Sequence, residues 1–161
     1  MSKEEQFTAL YQQHYDKVFR LCKGYFNGDE ETAYDTLQEI FIKVWQHLDG
    51  FRQESTLSTW IYRISVNCCL LHLRKPSSRK EIRLQTLPEG VQENYDPVTE
   101  ERLRKMYGCI QQLDETGKLV ILLVLEGVEY TEIANVVGIT EDTLRVRIHR
   151  IKKLLANCVK S

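Results

Sequence analysis

Apolar and aromatic side chains recur near the start of the chain in steps of three and four, at Phe7, Leu10, Tyr11, Tyr15, Val18, Phe19, Cys22, Tyr25 and Phe26. That spacing draws one stripe along a long helix. Asn27-Gly28 ends it, and Asp29, followed by Glu30 and Glu31, is placed to cap a second helix whose stripe runs Tyr34, Leu37, Phe41, Val44, Trp45 and Leu48. Asp49-Gly50 breaks that helix. After the polar stretch Phe51 to Thr56, a third stripe passes through Leu57, Trp60, Ile61, Ile64, Cys68 and Leu71 and stops near Pro76. Trp60 lies on this stripe and is expected in the core.

Residues 75–99 change character. All three prolines lie here, in Lys75-Pro76-Ser77-Ser78, Leu87-Pro88-Glu89-Gly90 and Asn94-Tyr95-Asp96-Pro97, and the composition reads as a tether. Helical patterns resume over Val98 to Leu113 and Glu115 to Leu125, and strand-like alternation is nowhere sustained. The expected class is all-α, with two small helical domains: a three-helix bundle over 1–75, a flexible linker over 76–99, and a second domain over 100–161.

Length and composition narrow the function. The chain has 161 residues, 42% of them apolar, enough for a packed core. No run approaches the roughly 20 apolar residues a membrane helix needs, so no membrane insertion is expected. The start, Met1-Ser2-Lys3-Glu4-Glu5-Gln6, carries acid where an export signal needs a basic residue and an apolar core, which points to the cytoplasm. Five cysteines, at 22, 68, 69, 109 and 158, form no C-x-x-C pair and have no histidine at zinc spacing, so reduced thiols on helix faces are expected, with no metal and no cofactor.

The net charge of −1 hides an alternation. Residues 1–50 hold 5 basic and 9 acidic side chains, residues 51–84 hold 7 and 2, residues 85–137 hold 4 and 10, and residues 138–161 hold 6 and 2. Two basic blocks separated by acidic ones imply two surfaces that face polyanions. They also imply that, in the free chain, the acidic blocks cover the basic ones.

The second basic block contains the clearest local motif. Between Glu129 and Leu155, Ala134 is small enough for a close helix crossing, Gly138 suits a left-handed turn, Thr140 is placed to cap the next helix, and Leu144 packs back between the two. The apolar stripe Leu144, Ile148, Ile151 and Leu155 leaves Arg145, His149 and Lys152 on the outer face, flanked by Arg147 and Arg150. This is a helix-turn-helix whose second helix can enter a major groove, with Thr140, Thr143, Arg145, Arg147, His149, Arg150 and Lys152 as the DNA-facing set.

These residues, with those of the first domain, resemble the sigma-70 family of bacterial RNA polymerase initiation factors, in the extracytoplasmic-function (ECF) type that keeps only regions two and four. Asp35-Thr36-Leu37-Gln38-Glu39-Ile40-Phe41-Ile42-Lys43-Val44-Trp45 is similar to the polymerase-binding helix, and Phe51-Arg52 with Ser58-Thr59-Trp60-Ile61-Tyr62-Arg63-Ile64-Ser65-Val66-Asn67 to the promoter-melting segment. Tyr130-Thr131-Glu132-Ile133-Ala134 and Gly138-Ile139-Thr140 onward resemble region four.

The resemblance implies a non-enzymatic factor that brings core RNA polymerase to promoter DNA, helps open it, and is held by an anti-sigma factor. It assigns Asp35, Gln38, Glu39, Phe41 and Ile42 to polymerase, with Ile42 an apolar residue outside the buried stripe. It assigns Phe51, Arg52, Ser55, Thr56, Arg63, Asn67 and Arg74 to the minus-ten element, and the region-four set to the minus-thirty-five element. Leu71 stands where the family often has an acid, and Asp114 and Lys118 where region four usually opens with proline and arginine. Two other readings stay open at this level: a stand-alone helix-turn-helix regulator, and an enzyme or metal-thiol sensor built on Cys68-Cys69 and the four histidines.

Overall fold

In the computed structural model, which describes residues 2–51, 55–72 and 97–160, the helical periods resolve into seven α-helices. They are α1 (Lys3–Tyr25), α2 (Glu30–His47), α3 (Leu57–His72), α4 (Pro97–Ile110), α5 (Glu115–Leu125), α6 (Tyr130–Val137) and α7 (Glu141–Lys160), with a 3₁₀ turn at Leu48–Gly50 after α2. No strand occurs among the described residues. The expected all-α class is what the chain adopts. Most of the stretch read as linker lies outside the described residues, and α4 begins at Pro97, whose locked φ and missing N–H suit a first helical turn.

The helix ends follow local chemistry. Ser2 and Glu5 close a capping box on α1: the Glu5 amide donates to Ser2 Oγ at 3.1 Å and the Ser2 amide to Glu5 Oε1 at 3.0 Å. Asn27 and Gly28, both at positive φ, stop α1, and the Asp29 carboxylate accepts the Thr32 amide at 3.2 Å to start α2. Asp114 does the same for α5, accepting the Gly117 amide at 2.8 Å. The residue that departs from the family's usual proline is therefore a helix cap.

In the first half, α1, α2 and α3 bury Val18, Leu21, Ile40, Val44 and Ile61 completely or nearly so. In the second, α4 to α7 bury Ile110, Leu119, Leu123, Ile133 and Leu144. Each such aliphatic side chain contributes about 1.5–3 kcal/mol by leaving water. The two halves do not stand apart, because one apolar cluster runs through both. Helix α1 packs on α5 and α3 on α6. At the α1–α5 crossing Gly24 has no side chain to hold the helices apart, and a Cβ there would come within 2.6 Å of Leu122 Cδ2.

Two expectations need correcting here. Cys109 and Cys158 are not free thiols but form a disulfide that joins α4 to the end of α7, with Cα atoms 6.0 Å apart. A separation of 49 positions along the chain hides that pairing from any local spacing rule. Leu71, counted on the α3 stripe, is half exposed near the end of that helix.

Candidate functional site

Three surfaces carry the residues singled out above. The first is a groove of about 370 Å³ between α1 and α2. Its floor is Leu37 and Phe41; its walls are Phe7, Tyr11, Tyr15 and Tyr34, with Gln38, Ile42 and Trp45 on the rim. The aromatic rings brace one another, Tyr11 against Phe41 at 4.9 Å and Phe7 edge-on to Trp45 at 5.4 Å between centroids. Lys3 lies over the Trp45 ring at 4.1 Å and pairs with Asp49 at 3.1 Å, fixing one end of the groove. Ile42 is 56% exposed and Trp45 36%. Of the expected polymerase-facing residues, Gln38, Phe41 and Ile42 meet here, while Asp35 is exposed and Glu39 half-buried further round α2. The periodic stripe does not separate the contribution of α1: Phe7, Tyr11 and Tyr15 share it with Leu10 and Val18, yet they and Trp45 line an open groove.

The second surface is a pocket of about 450 Å³ where the turn after α2 meets α3, lined by Gln46, His47, Gly50, Phe51, Ser55, Trp60 and Arg63. Trp60 is only half-buried, and its ring leans on Phe51 at 5.0 Å between centroids. The expectation that it is a core residue is corrected: α3 turns it to the pocket, while Ile61, Tyr62 and Ser65 fill the core. Thr56 serves α3 as a cap, its Oγ1 accepting the Thr59 amide at 3.1 Å. Asn67, one turn beyond Arg63, is exposed on the same side of α3. Arg52 and Arg74, assigned to the same interface, lie outside the described residues.

The third surface is the helix-turn-helix. Gly138 takes φ 79°, a left-handed conformation that glycine adopts without strain, and so closes α6 and sets the turn. Thr140 Oγ1 accepts the Thr143 amide at 3.1 Å and donates to Thr143 Oγ1 at 2.9 Å. The first turn of α7 is thereby capped, as its sequence predicts. Leu144, Ile148 and Ile151 are buried against the bundle, which leaves Arg145, His149, Arg150 and Lys152 exposed and Arg147 half-buried. Arg145 is the most constrained of the cations: its Nη2 is 2.7 Å from Glu141 Oε2, and its guanidinium lies 5.1 Å from the centre of the Tyr130 ring.

The cysteines of the first half are poor chemistry for a sensor. Cys22, Cys68 and Cys69 are all buried, with the Cys22 and Cys69 sulfurs 4.0 Å apart. The hydrogen bond to Cys22 and then burial push the Cys69 thiol well up, so the reactive thiolate is suppressed. No cluster of three or more potential metal ligands exists among the described residues. Nor is any helix among them long and apolar enough to cross a membrane.

Comparison with known proteins places both halves. Sigma-70 region 2 matches residues 10–79 and Sigma-70, region 4 matches residues 103–155. The chain belongs to the sigma-70 family of RNA polymerase sigma factors, in its ECF branch, whose members direct polymerase to promoters. It is 32% identical to the ECF RNA polymerase sigma-E factor of Escherichia coli K12, over 98% of this chain and 88% of that protein. It is 30% identical to the sigma-E factor of Haemophilus influenzae, over 98% and 89%. Among solved structures, it shares a fold with CnrH in complex with the cytosolic domain of CnrY (TM-score 0.74, 19% identity, 98% of this chain and 89% of that one). It likewise resembles the sigma factor RpoE in complex with the anti-sigma factor NepR from Bartonella quintana (TM-score 0.67, 20% identity, 94% and 97%).

Proposed function

We propose that the three surfaces divide the work of initiation among themselves. The α1–α2 groove takes an apolar projection of core RNA polymerase: Ile42 and Trp45 supply the exposed apolar rim, and Asp35 and Glu39 beside it disfavour nucleic acid. The pocket at Phe51 and Trp60 takes an unstacked base of the minus-ten strand, while Arg63 and Asn67 hold its backbone. Helix α7 enters the major groove of the minus-thirty-five element, with Arg145 reading a base edge and Arg150 and Lys152 on phosphates.

The chain itself carries out no bond chemistry in this scheme; polymerase does, in the cytoplasm. An anti-sigma factor as a further partner fits the company of the structurally similar RpoE, described in complex with NepR. The observation that carries the reading is one chain holding both an aromatic-edged pocket beside Arg63 and a helix-turn-helix with a cationic outer face, each within its matched region. The test is a gel-shift with a promoter fragment, core polymerase and this chain. A stable complex that needs both proteins supports the reading, and tight duplex binding by the chain alone favours a stand-alone regulator.

A further inference from the structure

On α7 the buried side chains Leu144, Ile148 and Ile151 fix which side of the helix faces outward. Val146, two residues on from Leu144, stands about 200° round the axis from it and so lies at the middle of the side turned away from the bundle. It is 52% exposed, although water disfavours an aliphatic side chain. Its neighbours one turn away on that side are Asp142, Thr143, His149 and Arg150, all exposed and none aliphatic. Leu154, the other large aliphatic residue exposed on this helix, is about 12 Å further along the axis, so the two form no continuous patch of the kind a protein partner covers. Val146 is a lone apolar group set among polar and charged ones.

We propose that Val146 is a specificity-determining residue of the minus-thirty-five contact and reads the C5-methyl group of a thymine. This rests on the placement of α7 in the major groove made above, and adds to a DNA-facing set that holds only polar and charged side chains. A valine side chain offers no donor and no acceptor, so it cannot take a phosphate oxygen or a polar base edge. Of the groups that base pairs present in the major groove, the thymine methyl alone is apolar. The others are donors and acceptors that would lose water against Val146 without gaining a partner. The position along the helix suits the task. Val146 is in the second turn of α7, close to the end capped by Thr140, and the N-terminal part of a recognition helix is the part that meets base edges. Valine in a helix also has one strongly preferred rotamer, so its methyl groups are presented with little freedom left to lose on binding.

The test begins with duplexes selected from a randomised pool by the complex of core polymerase with the full chain. The minus-thirty-five stretch of the recovered sequence is then made with deoxyuridine in place of thymidine, one position at a time. Each change removes a single methyl group and leaves every base-pairing hydrogen bond in place. With the wild-type chain, uracil at one thymine should weaken binding about three- to five-fold. Val146→Ala should weaken binding to the all-thymine duplex by a similar factor and lose nothing more when that thymine becomes uracil, so the two changes are not additive. Because Val146 is exposed, the thermal melt of the variant should match wild type. Arg150→Ala and Lys152→Ala keep the placement of α7 separate from the methyl contact. If they weaken binding while uracil costs the wild type and Val146→Ala the same at every position, or while the selected stretch holds no thymine, Val146 reads no methyl although α7 lies in the groove. If none of the three variants changes the affinity, α7 is not in the groove and both readings fall.

Discussion

Arg145 on α7 is gripped from two helices at once, by Glu141 one turn before it at 2.7 Å and by the face of Tyr130 at the start of α6, 5.1 Å from the guanidinium. An arginine that must read a base edge bidentately gains from being held in one orientation, because less side-chain freedom is lost on binding. Glu141 also opposes its use on phosphates, since any strand that takes the guanidinium must displace a carboxylate.

Arg145→Ala should therefore weaken recognition of the cognate minus-thirty-five duplex by about 1–3 kcal/mol with little effect on unrelated DNA. Lys152→Ala should weaken all sequences alike and lower the salt slope by about 1. Glu141→Gln should raise binding to unrelated DNA while the specificity ratio falls. Fluorescence anisotropy on both duplexes across a salt series measures all three, and equal losses for Arg145→Ala on both duplexes would remove it from base reading.

On the opposite half, the α1–α2 groove should bind protein. Ile42 is more than half exposed and Gln38 is exposed too, so truncating both leaves no core cavity. The double change Gln38→Ala and Ile42→Ala should reduce co-purification with core polymerase several-fold and shift the thermal melt hardly at all. Trp45→Ala should do the same with a somewhat larger loss, because its ring also braces Phe7. Full retention of core by both variants would remove this groove from the polymerase interface.

His14 sets a pH dependence on stability. Burial lowers its pKa from the ordinary 6.5, Lys17 adds to the lowering, and the Leu10 carbonyl, which accepts from Nδ1 at 3.1 Å, and Glu132 act against it. The folded chain thus resists protonation where the unfolded chain accepts it. His14's contribution is fully present above pH 6.5 and is lost as pH falls below that value toward the lowered folded pKa. Denaturant unfolding at a series of pH values between about 5 and 7.5 should show stability falling toward acid, and His14→Gln should flatten that slope. An unchanged slope in the variant would assign the acid loss elsewhere.

Local rules reached some of this and not the rest. The helix-turn-helix was readable because its determinants are neighbours in sequence: Gly138 needs φ > 0, Thr140 caps its own helix, and Leu144 recurs with Ile148 and Ile151 at the helical period. The groove was readable on α2 alone. A stripe of period 3.6 cannot distinguish a core face from an adjoining partner face, so Tyr11, Tyr15 and Trp45 were pooled with Leu10 and Val18. Trp60 was misplaced for the same reason, its ring being drawn outward by Phe51. The charge alternation pointed to acidic blocks meeting basic ones, yet Arg20 and Glu126, 106 residues on, both lie in blocks of net acidic charge, and nothing local announced that Cys109 would find Cys158. Those pairings belong to tertiary packing and leave no local period.

Run-off transcription reads directly whether this chain gives polymerase its promoter. Purified core RNA polymerase is supplied with genomic promoter fragments and nucleotides, with and without the chain. Discrete transcripts are expected from a subset of fragments only when the chain is present, and they should be lost with Arg145→Ala or with the Gln38→Ala, Ile42→Ala pair. Transcripts that are the same with and without the chain on every fragment would contradict that role.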